Sequence, residues 1–525
     1  MPYKVLIADR GEAAVRIART LRADGYIPLG IYTKEDGESL HRRFVAGDKE
    51  VSSYLDVKDI VRAAAELGAD AVHPGYSLLG ENPDFASEVL RKGMTFIGPP
   101  PSIIKTARDK VSSKTYAEKM GIPTLPWTEV ERPEDVLEFA SAHGYPVIIK
   151  PATGSRGVGL RIAWSEREVE AAFESARKEA EKAFKNPRLY VEVYLPRAKH
   201  IEVQVLGDGS HVVHLGEREC SLQRGFQKIV EEAPSPSLTP EERNKIYEYA
   251  VLLAERLKYV GIGAIEFLFD VEKREFYFIE VNVGLQPEHS VTEMITGVDV
   301  VKKQVEIALF KTLDLKQSDV GFRGHAIEVK IYAENPYTGE PSLGRVTAYS
   351  EPAGPGIRVD PGIAAGSNVV EASGSFVSKL VAWGPDRPAA IKRLENALRE
   401  YVIEGVVTNL RLLKHVISSP EFLQATYTTR FLEERAGYFR EKLAEEALLH
   451  SVVAVALVEA GDESAKTLLH KPGLVERVLE SERARSLKRS AWYYYMALKS
   501  SIERAKFRSR RAGLRREEGK EARGR

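Results

Sequence analysis

Cysteine is nearly absent. One residue, Cys220, in a chain of 525 rules out an internal disulfide and fits a reducing cytosol, so a cytoplasmic location is expected. Long apolar runs are missing as well: no stretch nears the roughly eighteen residues of a membrane span, so no membrane partner is expected. Neither charge dominates. The 76 basic and 76 acidic residues cancel, leaving no global field to draw in nucleic acid. The first residues, MPYKVLIADRG, enter a strand with no basic segment and apolar run ahead of it, so no signal peptide is expected. Internal repeats and low-complexity segments are also lacking. What remains is 43% hydrophobic and 29% charged, and long enough to bury a large core as three or four globular domains.

Residues 1 to about 113 alternate short apolar strands (Tyr3–Ala8, Ile27–Tyr32, Ala69–His73) with helices at Gly11–Arg22 and Lys58–Leu67. That order predicts a doubly wound parallel sheet. Asp9-Arg10-Gly11-Glu12 lacks GxGxxG spacing, which argues against a dinucleotide site. His73-Pro74-Gly75-Tyr76, followed by Glu81-Asn82, is a strand-end loop that reads equally as a ligand loop or a rigid turn. Beyond Lys110 come a helix at Glu134–His143, a strand at Pro146–Lys150, a glycine-containing loop to Gly159 and a strand at Leu160–Ala163. Backbone N–H groups in such a loop can approach a polyphosphate, with Lys150 as a point charge, although an ordinary hairpin turn fits too. No GK[ST] follows, so it is not a P-loop.

A helix over 165–187, a strand over 189–195 and a hairpin of Lys199–Leu206 with His211–Leu215 come next. A dense polar run then reads as a loop from which Gln223 and Lys228 could reach a ligand. The helix Pro240–Lys258 precedes a long hairpin, and a helix at Glu293–Leu309 follows it. From Gly324 a β-rich pattern predicts a separate α+β domain to about residue 435. The last ninety residues read as charged helix ending in a basic, solvated tail, Arg504–Arg525.

The hairpin Ile262–His289 carries the strongest signal. Apolar and aromatic residues alternate on both arms around a Glu272-Lys273-Arg274 tip. Paired about Lys273, the arms set Glu266 opposite Glu280, where like charges roughly 5 Å apart are destabilising unless compensated. Asn282 shares that face. Two carboxylates and an amide are hard oxygen ligands suited to magnesium with bound phosphates; the plain alternative is a solvated polar face.

Taken together, ADRGEAAVRI, HPGYSLLGEN, the Lys110 segment, ERECSLQRGFQKIVEEAPSP, EFYFIEVN, EHSVTEMITGVD and AGPGIRVD resemble biotin carboxylase, of the ATP-grasp superfamily, over residues 1 to about 435. The resemblance implies an α/β and α+β architecture. Its parts would be a parallel-sheet domain (1–113), an ATP-grasp domain (114–320, with a mobile lid at about 131–205), a C-terminal α+β domain (321–435) and a helical extension (436–525). It also implies that ATP phosphorylates bicarbonate to carboxyphosphate, whose CO2 is captured at N1′ of biotin. Carried over position by position, Lys110, Lys150, Arg156, Gly157, Glu192, Leu195, His200, Gln223 and Leu268 would bind ATP. Glu266, Glu280 and Asn282 would hold two Mg2+ or Mn2+ ions. Lys228, Gln286 and the backbone at Pro287 would contact bicarbonate, Glu288 would remove its proton, and Arg358 would stabilise the biotin enolate.

Four positions depart from the family pattern. Its bicarbonate-gripping arginine, two residues before Gln286, is Gly284 here; Phe226 replaces a nucleotide-contacting histidine, Gly374 an aspartate and Asp9 an asparagine. Arg224 or Lys199 could stand in for the lost charge. No AMKM-like biotinyl-lysine motif occurs, which implies a separate biotin carrier protein and carboxyltransferase subunit, and a homodimer is expected. Three readings stay open: the biotin carboxylase subunit of an acyl-CoA (acetyl- or propionyl-CoA) or pyruvate carboxylase, an ATP-grasp ligase with another acceptor, and a catalytically impaired structural paralogue.

Overall fold

Valine, leucine and isoleucine fill the first strand on both of its faces, so both faces must be covered. In the computed structural model, which describes residues 2–154, 157–371 and 374–446, they are. Strands β1 (Lys4–Ile7), β2 (Ile27–Tyr32), β3 (Gly47–Glu50), β4 (Ala71–His73) and β5 (Thr95–Phe96) form a parallel sheet in the order β3-β2-β1-β4-β5. Val5 and Ile7 enter one apolar core with Ile17 and Leu21, while Leu6 enters another with Ile31, Ile60 and Val61. The loops after β1 and β4 interlock: Asp9 accepts the Tyr76 N–H at 3.0 Å. Gly75 is required there, with φ +67° and a position where a Cβ would lie 2.0 Å from Asp9 Oδ2. The His73–Tyr76 loop is thus held as a rigid turn.

Strands β6 (Trp127–Val130), β7 (Val147–Pro151), β8 (Arg161–Ala163) and β9 (Leu189–Val193) make an antiparallel sheet, ordered β6-β9-β7-β8. The helices Pro133–His143 and Glu166–Phe184 bury Val136, Phe139, Val169 and Phe173 against it.

The third sheet organises the site. Strands β10 (Ala198–Asp208), β11 (Val212–Arg224), β12 (Gln227–Ala233), β13 (Val260–Asp270), β14 (Glu275–Val283) and β15 (His325–Tyr332) belong to it. After the short β16 (Gly344–Arg345) and β17 (Ala348–Ser350) come β18 (Ile357–Pro361), β19 (Asn368–Val369), β20 (Phe376–Gly384) and β21 (Val402–Glu404). Eight strands join in the order β14-β13-β10-β11-β12-β15-β20-β18. Of the strands after Gly324, β15, β20 and β18 extend this sheet through the β12–β15 pairing, while β16 with β19 and β17 with β21 form two small sheets of their own. Residues 1–435 form one compact unit; the second unit, 436–525, is described only over 436–446, which are helical, so most of the expected extension and tail lies outside the described residues.

Two further local expectations are corrected. The polar run around Gln223 is β-structure, because its buried charges find partners: Arg218 meets Glu202 and Glu219 meets Lys199 across the sheet, and Glu217 meets Arg243 on the helix Pro240–Arg256. The helix expected at Glu293–Leu309 is two helices, His289–Thr296 and Val300–Phe310, broken where Gly297 turns to φ +74° and Asp299 caps the next N-terminus by accepting the Lys302 N–H.

Candidate functional site

Strand alternation separates core from chemistry. Ile201, Val203 and Val205 on β10 and Ile265, Phe267 and Phe269 on β13 fill the apolar core. The residues between them, His200 and Glu202, Glu266 and Leu268, therefore face the other way. Glu266 is directly opposite Glu280, as expected, but not because the arms pair about Lys273. Nearer the tip Phe267 faces Phe278 and Asp270 faces Glu275, and a bulge at Ile279 shifts the register by one to restore the carboxylate pair. Glu202, on the other side of Glu266, extends the row to Arg218. Beyond an irregular stretch of the β11–β12 pairing, a second row runs across β12, β15, β20 and β18 as Glu231, Glu328, Val381 and Arg358.

Cations interleave with these carboxylates. Lys228 Nζ donates to Glu202 and Glu266, each at 2.7 Å, and to Glu288 at 2.8 Å. The other oxygen of Glu288 lies 3.0 Å from Lys330 Nζ, which also stands 2.7 Å from Glu231. Burial raises the Glu288 carboxyl, but Lys228 and Lys330 outweigh it and hold it at about 2. Glu266 behaves alike: burial pushes it up, and Lys228 with His200, whose Nε2 is 2.9 Å away, brings it well below the usual carboxylate range. Lys110 reaches Glu280 at 2.5 Å; burial opposes its charge, and Glu280 and Glu266 more than restore it. On the four-stranded sheet the buried Glu192 binds Lys150 at 2.5 Å and Lys114 on its other oxygen.

The oxygen-only set of Glu266, Glu280 and Asn282 fits Mg2+ or Mn2+. Two carboxylates sit on paired strands, and the amide bonded to Glu266 can offer its oxygen. His200, Glu202 and Cys220 also bring ligand atoms within 4.8 Å of one another, but Arg218 and Lys228 occupy Glu202, and burial raises the thiol far above its usual range. That trio is built for cations of the protein itself.

Other expected residues fall as follows. Gln223 and Lys228 are register partners on β11 and β12, with Gln223 donating to the Cys220 carbonyl. Leu268 is half-buried opposite His200, and Leu195 is half-buried just beyond β9. Gly157, at φ +73°, abuts Phe226, whose Cβ would be 2.7 Å from a Cβ at 157; Arg156 lies outside the described residues. Gln286 makes no side-chain hydrogen bond among the described residues. Pro287 has no N–H, and its carbonyl accepts from Lys379 at 2.7 Å, so the backbone there offers an anion no donor. Arg358 is clamped by Glu293 at 2.7 Å and by Asp360 at 2.7 Å.

Neither substitute for the charge absent at Gly284 is available. Lys199 is bound to Glu219 and to the Ala425 carbonyl, and Arg224 to Glu334. Sequence reasoning missed Glu202, Lys114, Lys330 and Lys379. Glu202 could have been found two residues after His200, on the same strand face. Lys330 could have been found as a charge inside the strand HAIEVKIY.

Family models match the chain in three segments: "Biotin carboxylase, N-terminal domain" over residues 1–104, "Carbamoyl-phosphate synthase L chain, ATP binding domain" over 109–316, and "Biotin carboxylase C-terminal domain" over 328–434. A pyruvate carboxylase subunit of Methanothermobacter thermautotrophicus is 41% identical over 441 residues, covering 82% of this chain and 89% of that one. Biotin carboxylase of Pseudomonas aeruginosa is 40% identical over 447 residues, covering 83% and 99%. Among solved structures, the biotin carboxylase domain dimer of Hydrogenobacter thermophilus 2-oxoglutarate carboxylase, in complex with MgADP, ADP and bicarbonate, superposes with a TM-score of 0.81 at 41% identity, covering 84% and 99%.

Proposed function

The chain belongs to the biotin carboxylase family, and on that premise we propose how its residues divide the work. It is an ATP-grasp ligase that forms a C–N bond, carboxylating biotin with bicarbonate at the expense of ATP. The observation that carries the assignment of roles is Glu288, ionised between Lys228 and Lys330 beside the Glu266–Glu280 pair.

Lys110 and Lys150 neutralise ATP phosphates, with Lys114 and Glu192 holding Lys150 in place. His200, Gln223, Leu268, Leu195 and Gly157 line the nucleotide, as does Arg156 by its place in the sequence. Glu266, Glu280 and Asn282 would hold Mg2+ or Mn2+, which would supply charge neutralisation to the phosphates of ATP. Bicarbonate binds between Lys228 and the Gln286 amide. Glu288 accepts its proton as the oxygen attacks the γ-phosphorus and ADP leaves, giving carboxyphosphate. Carboxyphosphate then breaks to CO2 and phosphate, the phosphate takes the N1′ proton of biotin, and N1′ captures the CO2 while Arg358, fixed by Glu293 and Asp360, stabilises the enolate oxygen.

The boundaries after residues 113, 320 and 435 remain our reading of the domains. We propose that the biotin arrives on a separate carrier and leaves to a carboxyltransferase, since this sequence holds no AMKM-like biotinyl-lysine motif; this chain spans 61% of the propionyl-CoA carboxylase alpha chain of mouse. We infer a homodimer from the dimeric relative. No helix among the described residues is long and apolar enough to cross a membrane, and we place the enzyme in the cytoplasm. The test is ADP release with ATP, bicarbonate and free biotin, each omitted in turn. Dependence on all three supports the assignment; turnover indifferent to bicarbonate overturns it.

A further inference from the structure

Two buried carboxyl groups on the site face of the large sheet have no part in the reaction outlined above. Glu231 on β12 and Glu328 on β15 are direct register partners and are 1% and 0% exposed. Side chains so placed are about 5 Å apart at Cβ, too close for two desolvated charges without strong compensation. Compensation is thin. Lys330 Nζ stands 2.7 Å from Glu231, but it is shared with Glu288 at 3.0 Å. Neither oxygen of Glu328 finds a hydrogen-bond partner among the described residues. The other ionisable groups around the pair are Lys379 of β20, Tyr332 of β15, Cys220 of β11 and Glu12 of the helix Gly11–Ala23. Of these, Lys379 is already committed to Glu12 at 3.0 Å and to the Pro287 carbonyl.

The reaction itself creates a proton to be placed. Joining bicarbonate carbon to biotin with ATP cleavage releases one proton overall, and the base that first takes it, Glu288, is only 2% exposed. We propose that Glu231 and Glu328 form a proton-holding pair that receives this proton through Lys330, returning Glu288 to its charged form within the turnover. The inference rests on the reading of Glu288 as the base. In the step, one Lys330 N–H bond breaks as an O–H bond forms on Glu231, and the lone pair this frees on Nζ then takes the proton of Glu288, whose O–H bond breaks. The ammonium is the same before and after, and one proton has moved from Glu288 to the pair, and from there to solvent.

The gradient favours that direction. Burial raises Glu288, yet its two lysines hold it at about 2. Burial lifts Glu231 to about 8, with Glu328 and Glu288 adding to it against the pull of Lys330, and lifts Glu328 to about 7, with Glu288 and Glu12 adding to it against Lys379 and Lys330. A proton on Glu288 therefore runs downhill to the pair.

Isosteric Glu231→Gln and Glu328→Gln substitutions test this in two arms. Infrared difference spectra between about pH 6 and 9 should show a buried carboxylic-acid C=O band in the wild type that both substitutions weaken. In bicarbonate-dependent ADP formation, kcat of each variant should fall on the order of 10-fold or more with KM for ATP and bicarbonate unchanged. Wild-type kcat should decline below about pH 7, where a filled pair cannot accept, and the variants should lose that limb. Unchanged kcat and pH profile in the double variant, or a band indifferent to both substitutions, would overturn the proposal. Should Glu328→Gln not fold, Glu231→Gln alone carries both readouts. If the wild type shows no bicarbonate-dependent turnover, the reading of Glu288 fails, while the infrared arm still decides whether the pair holds a proton.

Discussion

Replacing Lys228 by methionine keeps the aliphatic stem and deletes an ammonium that three buried carboxylates share, at 2.7, 2.7 and 2.8 Å. Removing one partner of a buried ion pair costs roughly 3–5 kcal/mol. Each carboxylate keeps other partners: Arg218 and Cys220 for Glu202, His200 and Asn282 for Glu266, and Lys330 for Glu288. The loss should therefore sit at the low end, ~3 kcal/mol. The depression of Glu288 bounds the scale from below: from 4.5 to about 2, at about 1.4 kcal/mol per pH unit, roughly 3 kcal/mol is left after the burial penalty, so the two lysines together supply more than that. Thermal melting should drop by several degrees, and bicarbonate-dependent ADP release should fall on the order of 100-fold. Adding Glu288→Gln removes one stranded charge and should recover about 1 kcal/mol relative to additivity. A Lys228→Met protein that melts with the wild type, and a double variant that is simply additive, would refute the shared-ammonium geometry.

Gly284→Arg places a guanidinium between Asn282 and Gln286, where a Cβ meets nothing within 4 Å but φ is +79°. The expected outcome is a bicarbonate KM lowered about 10-fold at a stability cost of about 1–2 kcal/mol; a KM that is unchanged or higher counts against the charge deficit. Gly75→Ala drives a methyl to 2.0 Å from Asp9 Oδ2 and 2.4 Å from Asp9 Cβ and should destabilise by about 2 kcal/mol in urea titration, with Asp9→Gly, which removes both atoms, relieving the clash where Asp9→Ala does not. Glu232 and Glu288 are both depressed to about 2: burial raises each, His325 and Arg387 overcome it for Glu232, and Lys228 and Lys330 do so for Glu288. Their stabilisation is complete above pH 4.5 and is lost as pH falls towards 2, so melting temperature should drop steeply across that window and less steeply in Glu232→Gln. A flat acid profile would contradict the pairing.

Much of the architecture was readable because it is local. Alternation along IEFLFD and FIEVNV puts Glu266, Glu280 and Asn282 on one face whatever the rest of the chain does, and the βαβ rhythm before residue 113 dictates a parallel sheet. The register argument reached the correct pair by an incorrect path, since a bulge at Ile279 is invisible to counting from the tip. Non-local pairing was the harder problem. A run as polar as GERECSLQRGFQK looks like a surface loop until Glu202, Ser235 and Lys199 arrive from other strands to satisfy it. Lys330 is likewise meaningful only once the sheet joins β15 to β12, forty-two residues after Glu288 in the chain. The same lack of partners in a sequence made Lys199 and Arg224 look free. It also hid the fact that Pro287 has neither an N–H nor an unengaged carbonyl to offer.

The central claim is that this site fixes bicarbonate carbon onto biotin, using Glu288 as base and Lys228 as its electrostatic partner. The most direct measurement supplies radiolabelled bicarbonate, MgATP and free biotin and counts acid-labile label on biotin N1′. Label should accumulate with the wild type, require ATP, and fall to background with Glu288→Gln. Label that persists in Glu288→Gln, or never forms in a wild type that still hydrolyses ATP, would contradict it.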